Sequence, residues 1–113
     1  MNVVILGGGE SGVGAAILAK QKGYEIWLSD RGTIQENYRK ELAINHIPYE
    51  ENKHTRETIL QADLVVKSPG IPDHIELIKQ LKAKGIPVIS EIEFASRHTD
   101  SVIIGITGSN GKT

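Results

Sequence analysis

The sequence predicts a doubly wound α/β domain, a parallel five-stranded sheet with helices on both faces. Three observations point there. Apolar runs of strand length alternate with helix-length segments, and the connections between them are short. The opening run, Val3-Val4-Ile5-Leu6, empties into a glycine cluster, Gly7-Gly8-Gly9-Glu10-Ser11-Gly12, that leads into small and apolar residues. Right-handed crossovers then make a doubly wound sheet the simplest arrangement.

In chain order, residues 2–6 read as a buried strand and 12–22 as a helix stopped by Gly23. Glu25 to Ser29 is a second strand, ending at Asp30. Thr33-Ile34-Gln35-Glu36 has the form of a capping box and starts a helix to about Asn45. Ile47-Pro48-Tyr49-Glu50 makes a short outer strand, because Pro48 has no N–H to give a ladder. Thr55 to Leu60 is a short helix and Asp63 to Lys67 a strand, broken at Ser68-Pro69-Gly70-Ile71-Pro72. Ile75, Ile78 and Leu81 give Asp73 to Lys84 helical spacing, with Gly85 as the stop. Pro87-Val88-Ile89 is a fifth strand, and Ser90-Glu91-Ile92-Glu93 a second capping box that starts a helix to about His98.

Composition narrows the function. The 113 residues carry 13 basic against 14 acidic side chains, a net charge of −1. With no basic field overall, neither nucleic acid nor an anionic membrane is the expected partner. The absence of cysteine excludes disulfides and thiolate metal sites. His46, His54, His74 and His98 lack metal-ligand spacing and read as surface residues. No apolar run is long enough to span a bilayer, so a cytoplasmic protein is expected. Any phosphate binding must be local.

The opening glycines supply such a place. Gly7, Gly9 and Gly12 fit G-x-G-x-x-G, where unpaired amides and the helix dipole favour an anion. A ligand-free tight turn explains the same glycines. Asp30 ends the second strand, where an acid binds a ribose hydroxyl in dinucleotide folds; it equally suits the imide N–H of a uracil, or a plain turn. If strands one and four adjoin at the reversal of strand order, the two loops that follow them face each other. Gly7 to Gly12, Asp30 and Ser68-Pro69-Gly70 then surround one crevice. Glu91 and Glu93 are explained by the capping box rather than as paired catalytic acids.

The tail adds a second nucleotide signal. Ser101 to Ile106 is another strand, running into Thr107-Gly108-Ser109-Asn110-Gly111-Lys112-Thr113. This is close to a P-loop, with Lys112 for the β- and γ-phosphates of ATP and the Thr113 hydroxyl for Mg²⁺. Ile106 stands where the strict pattern has its first glycine.

Ile104 to Thr113 resembles the ATP loop of the Mur ligases, the amino-acid-adding enzymes of peptidoglycan synthesis. Gly7-x-Gly9-x-Ser11-Gly12, Ser29-Asp30, Ala62 to Val66 with Ser68-Pro69-Gly70-Ile71-Pro72, and Glu91-Ile92-Glu93-Phe94 are similar to the D-glutamate-adding branch of that family. The resemblance implies a Rossmann-like domain over 1–98 that binds the UDP part of UDP-N-acetylmuramoyl-L-alanine, and the start of an ATP-binding central domain over 99–113. It implies Gly9, Glu10, Ser11 and Gly12 beside the diphosphate, Asp30 and Arg31 at the uracil, and Ser68, Pro69 and Gly70 on the opposite wall. For Glu10 the amide is expected to serve the site while the side chain points outward. Gly108, Ser109, Asn110, Gly111, Lys112 and Thr113 would bind ATP, with Mg²⁺ on Thr113. The family reaction phosphorylates the substrate carboxylate with ATP; the amine of D-glutamate then displaces phosphate to give the amide.

No catalytic residue is expected within these 113 residues, and the chain reads as an N-terminal piece that binds UDP but does not ligate. Two alternatives stand beside this: the L-alanine-adding branch of the same family, and an NAD(P)-binding oxidoreductase domain.

Overall fold

The computed structural model describes residues 1–72 and 75–98. Five parallel strands, β1 (Asn2–Leu6), β2 (Glu25–Ser29), β3 (Tyr49–Glu50), β4 (Leu64–Lys67) and β5 (Val88–Ser90), lie in the order β3-β2-β1-β4-β5. The helices between and after them are α1 (Glu10–Gln21), α2 (Glu36–Ile44), α3 (Arg56–Ile59), α4 (Glu76–Ala83) and α5 (Glu91–His98). The order reverses between β1 and β4, which pair directly with Val4 opposite Val65 and Leu6 opposite Lys67. The expected crevice position is therefore met. The C-terminal strand and P-loop lie outside the described residues, as do Asp73 and His74 at the expected start of α4.

Alternation along the buried strands builds two cores. Val3 and Ile5 of β1, Leu28 of β2 and Val66 of β4 face Val13, Ala16 and Ala19 of α1, Leu42 of α2 and Phe94 of α5. On the other face, Val4, Leu6 and Val65 pack against Ile59 of α3 and Leu77, Ile78 and Leu81 of α4. A strand buried on both faces needs apolar residues throughout, which is why these strands read as continuous runs. The end of α5 is anchored by its rings: His98 stands 4.7 Å from Phe94 and 5.5 Å from Tyr24, centroid to centroid.

Local signals decided the element ends unevenly. The stop after α1 is a Schellman closure, with the Gly23 amide on Lys20 O and the Tyr24 amide on Ala19 O. Ser90 caps α5 as expected, accepting the Glu93 amide at 3.0 Å. Glu93 does not reach back to complete the box; it pairs with Arg97 at 2.7 Å instead. The first capping box is not formed. α2 begins at Glu36 with Gln35 as its N-cap, while the Thr33 hydroxyl bonds to Asn52 and the Ile34 amide to Glu51. The loop after β3 offers those acceptors, so tertiary bonds displace the local one. α1 starts at Glu10, two residues earlier than the apolar periodicity indicated, because the glycine turn itself winds into the helix.

Candidate functional site

The turn between β1 and α1 is built by backbone geometry. Gly7 has φ +114°, and a Cβ there would lie 2.8 Å from Ser68 Cβ on the facing loop. A Cβ on Gly12 would lie 1.9 Å from the Gly7 carbonyl oxygen, so only glycine lets the helix seat this close to the strand end. Gly9 is the N-cap and offers no side-chain cap; the first amide to close is that of Val13, on Gly9 O at 2.9 Å. Among the described residues nothing takes the amides of Gly9, Glu10, Ser11 and Gly12. Unpaired amides at a helix start are what an anion needs.

Asp30 holds this turn. Its Oδ2 accepts the Gly8 amide at 2.7 Å and its Oδ1 accepts the Gly32 amide at 2.8 Å. Beside it opens a crevice of about 370 Å³, lined by Gly7, Gly8, Gly9, Asp30, Arg31 and His54 on one side. Ser68, Gly70, Ile71, Pro72 and Ile75 form the other. The structure thus brings together Gly9, Asp30, Arg31, Ser68 and Gly70 from the residues singled out in the sequence. It places the others around the turn rather than in that crevice. Gly12 packs on Gly7, the Glu10 side chain points outward into a hollow against α2, and Ser11 and Pro69 line an apolar hollow between α1 and α5.

Behind Asp30 lies a buried polar cluster. Glu50 at the end of β3 accepts hydrogen bonds from the Ser29 hydroxyl (2.8 Å), the Thr55 amide (2.7 Å), the Thr55 hydroxyl and Trp27 Nε1 (3.4 Å). Burial alone would raise its carboxyl; the bonds from Thr55, Ser29 and Trp27 outweigh that and hold it below its usual range. His54 sits 2.6 Å from the Ser29 hydroxyl through Nδ1. Its imidazole is lowered, by burial first and by Arg31, against the opposing pull of Glu50 and Asp30.

His54 corrects the surface assignment made from sequence: it is half-buried and lines the crevice. Its signal was positional, a polar residue in the loop beyond a strand's carboxyl end. Glu91 also departs from expectation. Rather than merely opening α5, it is 93% buried behind the turn, with no partner on Oε2 among the described residues. Burial raises its carboxyl, while the Ser11 hydroxyl and Lys67 pull it down.

A glycine turn, a strand-end acid and a crevice at the reversal of a parallel sheet define a Rossmann-like, doubly wound α/β domain. Solved structures share the fold: the murein peptide ligase of Psychrobacter arcticus (TM-score 0.78, 24% identity, 88% of this chain and 21% of that one) and the pseudomurein peptide ligase type C of Methanothermus fervidus (0.74, 20%, 87% and 20%). The family model "Mur ligase MurD-like, N-terminal domain" matches residues 1–90, and the chain belongs to that family. Proteins named UDP-N-acetylmuramoylalanine--D-glutamate ligase are 60% identical over 111 residues in Bacteroides thetaiotaomicron and 58% identical over 111 residues in Christiangramia forsetii. Each alignment covers 98% of this chain and 25% of the relative, so the chain spans about a quarter of their length.

Proposed function

We propose that the chain is the uridine-nucleotide-binding domain of an ATP-dependent ligase that joins D-glutamate to UDP-N-acetylmuramoyl-L-alanine in peptidoglycan synthesis. The observation that carries the binding role is the run of unpaired amides from Gly9 to Gly12 at the start of α1, beside a crevice in which Gly7, Gly8 and Gly9 share the lining with Ser68 and Gly70. The diphosphate rests on those amides, with the Ser11 hydroxyl beside them. The nucleoside extends along Asp30 and Arg31, and Ser68 and Gly70 bound the opposite wall, while Pro69 between them lines the hollow beside α5. The names carried by the 60% and 58% identical relatives supply the amino acid and the acceptor substrate. ATP and Mg²⁺ belong to Gly108–Thr113, with Thr113 as the metal's hydroxyl ligand. These residues are outside the described part of the chain. Both substrates are water-soluble, and we infer a cytoplasmic site of action; among the described residues no helix is long and apolar enough to cross a membrane.

Calorimetric titration with UDP, NAD and ATP tests the binding role. UDP saturates and NAD gives no heat if the proposal holds. Saturation by NAD with none by UDP overturns it in favour of an oxidoreductase domain.

A further inference from the structure

Behind the open amides of α1 lies a carboxyl that the binding role leaves unused. Glu91 is 7% exposed, and its Oε2 stands 3.3 Å from where a Cβ on Gly12 would be. Among the described residues that oxygen has no hydrogen-bond partner. The main elements packed against α5 are α1, β4 and β5. From β4 comes Lys67, whose ammonium favours the carboxylate while it holds the Ile71 carbonyl at 2.6 Å. From α1 comes the Ser11 hydroxyl, which favours the carboxylate more strongly than Lys67 does. The Glu10 side chain points away towards α2, and β5 ends in Ser90, whose oxygen accepts the Glu93 amide. Burial opposes the charge and outweighs both helpers.

A hydroxyl favours a carboxylate only by donating to it, and Ser11 has one proton to give. While Glu91 is ionised, that proton is directed inward. A diphosphate on the amides then meets serine lone pairs and a buried negative charge behind them. With a proton on Glu91 the bond reverses: the acid donates its O–H to Ser11 Oγ, and the hydroxyl is free to donate outward. We infer that Glu91 is a positioning residue for the phosphate seat, taking a proton from solvent when an anion settles on the α1 amides and thereby turning the Ser11 hydroxyl onto it. This rests on the uridine-nucleotide reading above and adds to it the proton that accompanies the diphosphate. An anion close to a buried carboxyl favours its neutral form, so affinity rises as pH falls.

UDP-N-acetylglucosamine is the probe, because its diphosphate is esterified at both ends and holds no titrating proton over the range of the experiment. Calorimetry of the 113-residue chain from pH 5 to 8, in buffers of different ionisation enthalpy, counts the protons taken up on binding. Uptake of a proton is expected, with affinity falling by as much as about tenfold per pH unit. In Glu91→Gln the side-chain amide already donates to Ser11, so the uptake vanishes and the affinity is flat in pH. His54→Asn, which removes the titrating group that lines the crevice, keeps the uptake. Ser11→Ala costs about tenfold at pH 5, where the hydroxyl serves the anion, and little at pH 8, where it is turned inward. Carbon-13 NMR of the Glu91 carboxyl follows the titration directly in the unaltered chain, and a midpoint that the UDP-sugar does not raise overturns the inference. So does a proton uptake unchanged in Glu91→Gln. In both cases the uridine reading stands; if the UDP-sugar fails to bind the unaltered chain, that reading falls and takes the inference with it.

Discussion

The Asp30 carboxylate grips the Gly8 amide at 2.7 Å, so the acid that ends β2 braces the turn that follows β1. A second bond, to the Gly32 amide at 2.8 Å, fixes the direction of that carboxylate. Position and brace are one side chain.

Asp30→Ala is therefore expected to lower stability as well as UDP binding. Losing charge-assisted bonds to two amides costs about 2–3 kcal/mol, a fall in melting temperature of roughly 10–20 °C for a domain of this size. Thermal melts run beside the calorimetry check it. Lost UDP binding with an unchanged melting temperature would mean that the braces contribute nothing.

Two glycines of the same turn and helix should respond in opposite directions. Gly12→Ala drives a Cβ against the Gly7 carbonyl, backbone that cannot yield, and should cost 3 kcal/mol or more, at about the upper limit for overpacking. A Cβ at Gly14 meets nothing within 4 Å, so Gly14→Ala should gain up to about 1 kcal/mol of helix propensity. Urea denaturation of the pair checks both signs.

Acid should unfold the domain in two stages. His54 and Glu50 both have folded-state values below their ordinary 6.5 and 4.5, so the folded chain binds fewer protons than the unfolded one. Their contribution to stability is then full above pH 6.5 and lost on acidification, first through His54 and again below 4.5 through Glu50. The melting temperature followed from pH 8 to 3 should show the first decline in the unaltered chain and lack it in His54→Asn.

Glu91 should titrate with the opposite sign. Its folded-state value is raised above 4.5, so its ionisation works against folding as pH rises through that folded value. The melting temperature of Glu91→Gln minus that of the unaltered chain should be near zero at pH 4 and grow positive towards pH 8. A difference that stays flat across that range would show the buried carboxyl to be energetically neutral.

Much of this was legible in the sequence, for physical reasons. Strands buried on both faces must be apolar throughout, so Val3 to Leu6 and Leu64 to Val66 announced themselves. Glycines that carry a close approach, Gly7 and Gly12, left a spacing visible by eye. Asp30 was found by its distance from them, although its bond to Gly8 was not. What escaped depended on contacts between segments distant in the chain. The Thr33 capping box fitted locally and lost to Asn52 and Glu51, seventeen or more residues away. His54 carries no motif, because its role comes from Ser29 and Glu50, which only the sheet brings to it. Glu91 looked like a helix-start acid, and nothing near it in sequence revealed that the turn would roof it over.

The Glu50 cluster carries one more consequence. Its carboxylate is held by a serine, a threonine, an indole and a backbone amide, neutral dipoles with no counter-charge among them. Dissolved ions weaken attraction between opposite charges, as at the exposed Lys40–Glu36 pair, but have little to screen where dipoles do the holding. The wall that carries His54 should therefore keep its shape in concentrated brine, while the ion pairs on the outer helices loosen.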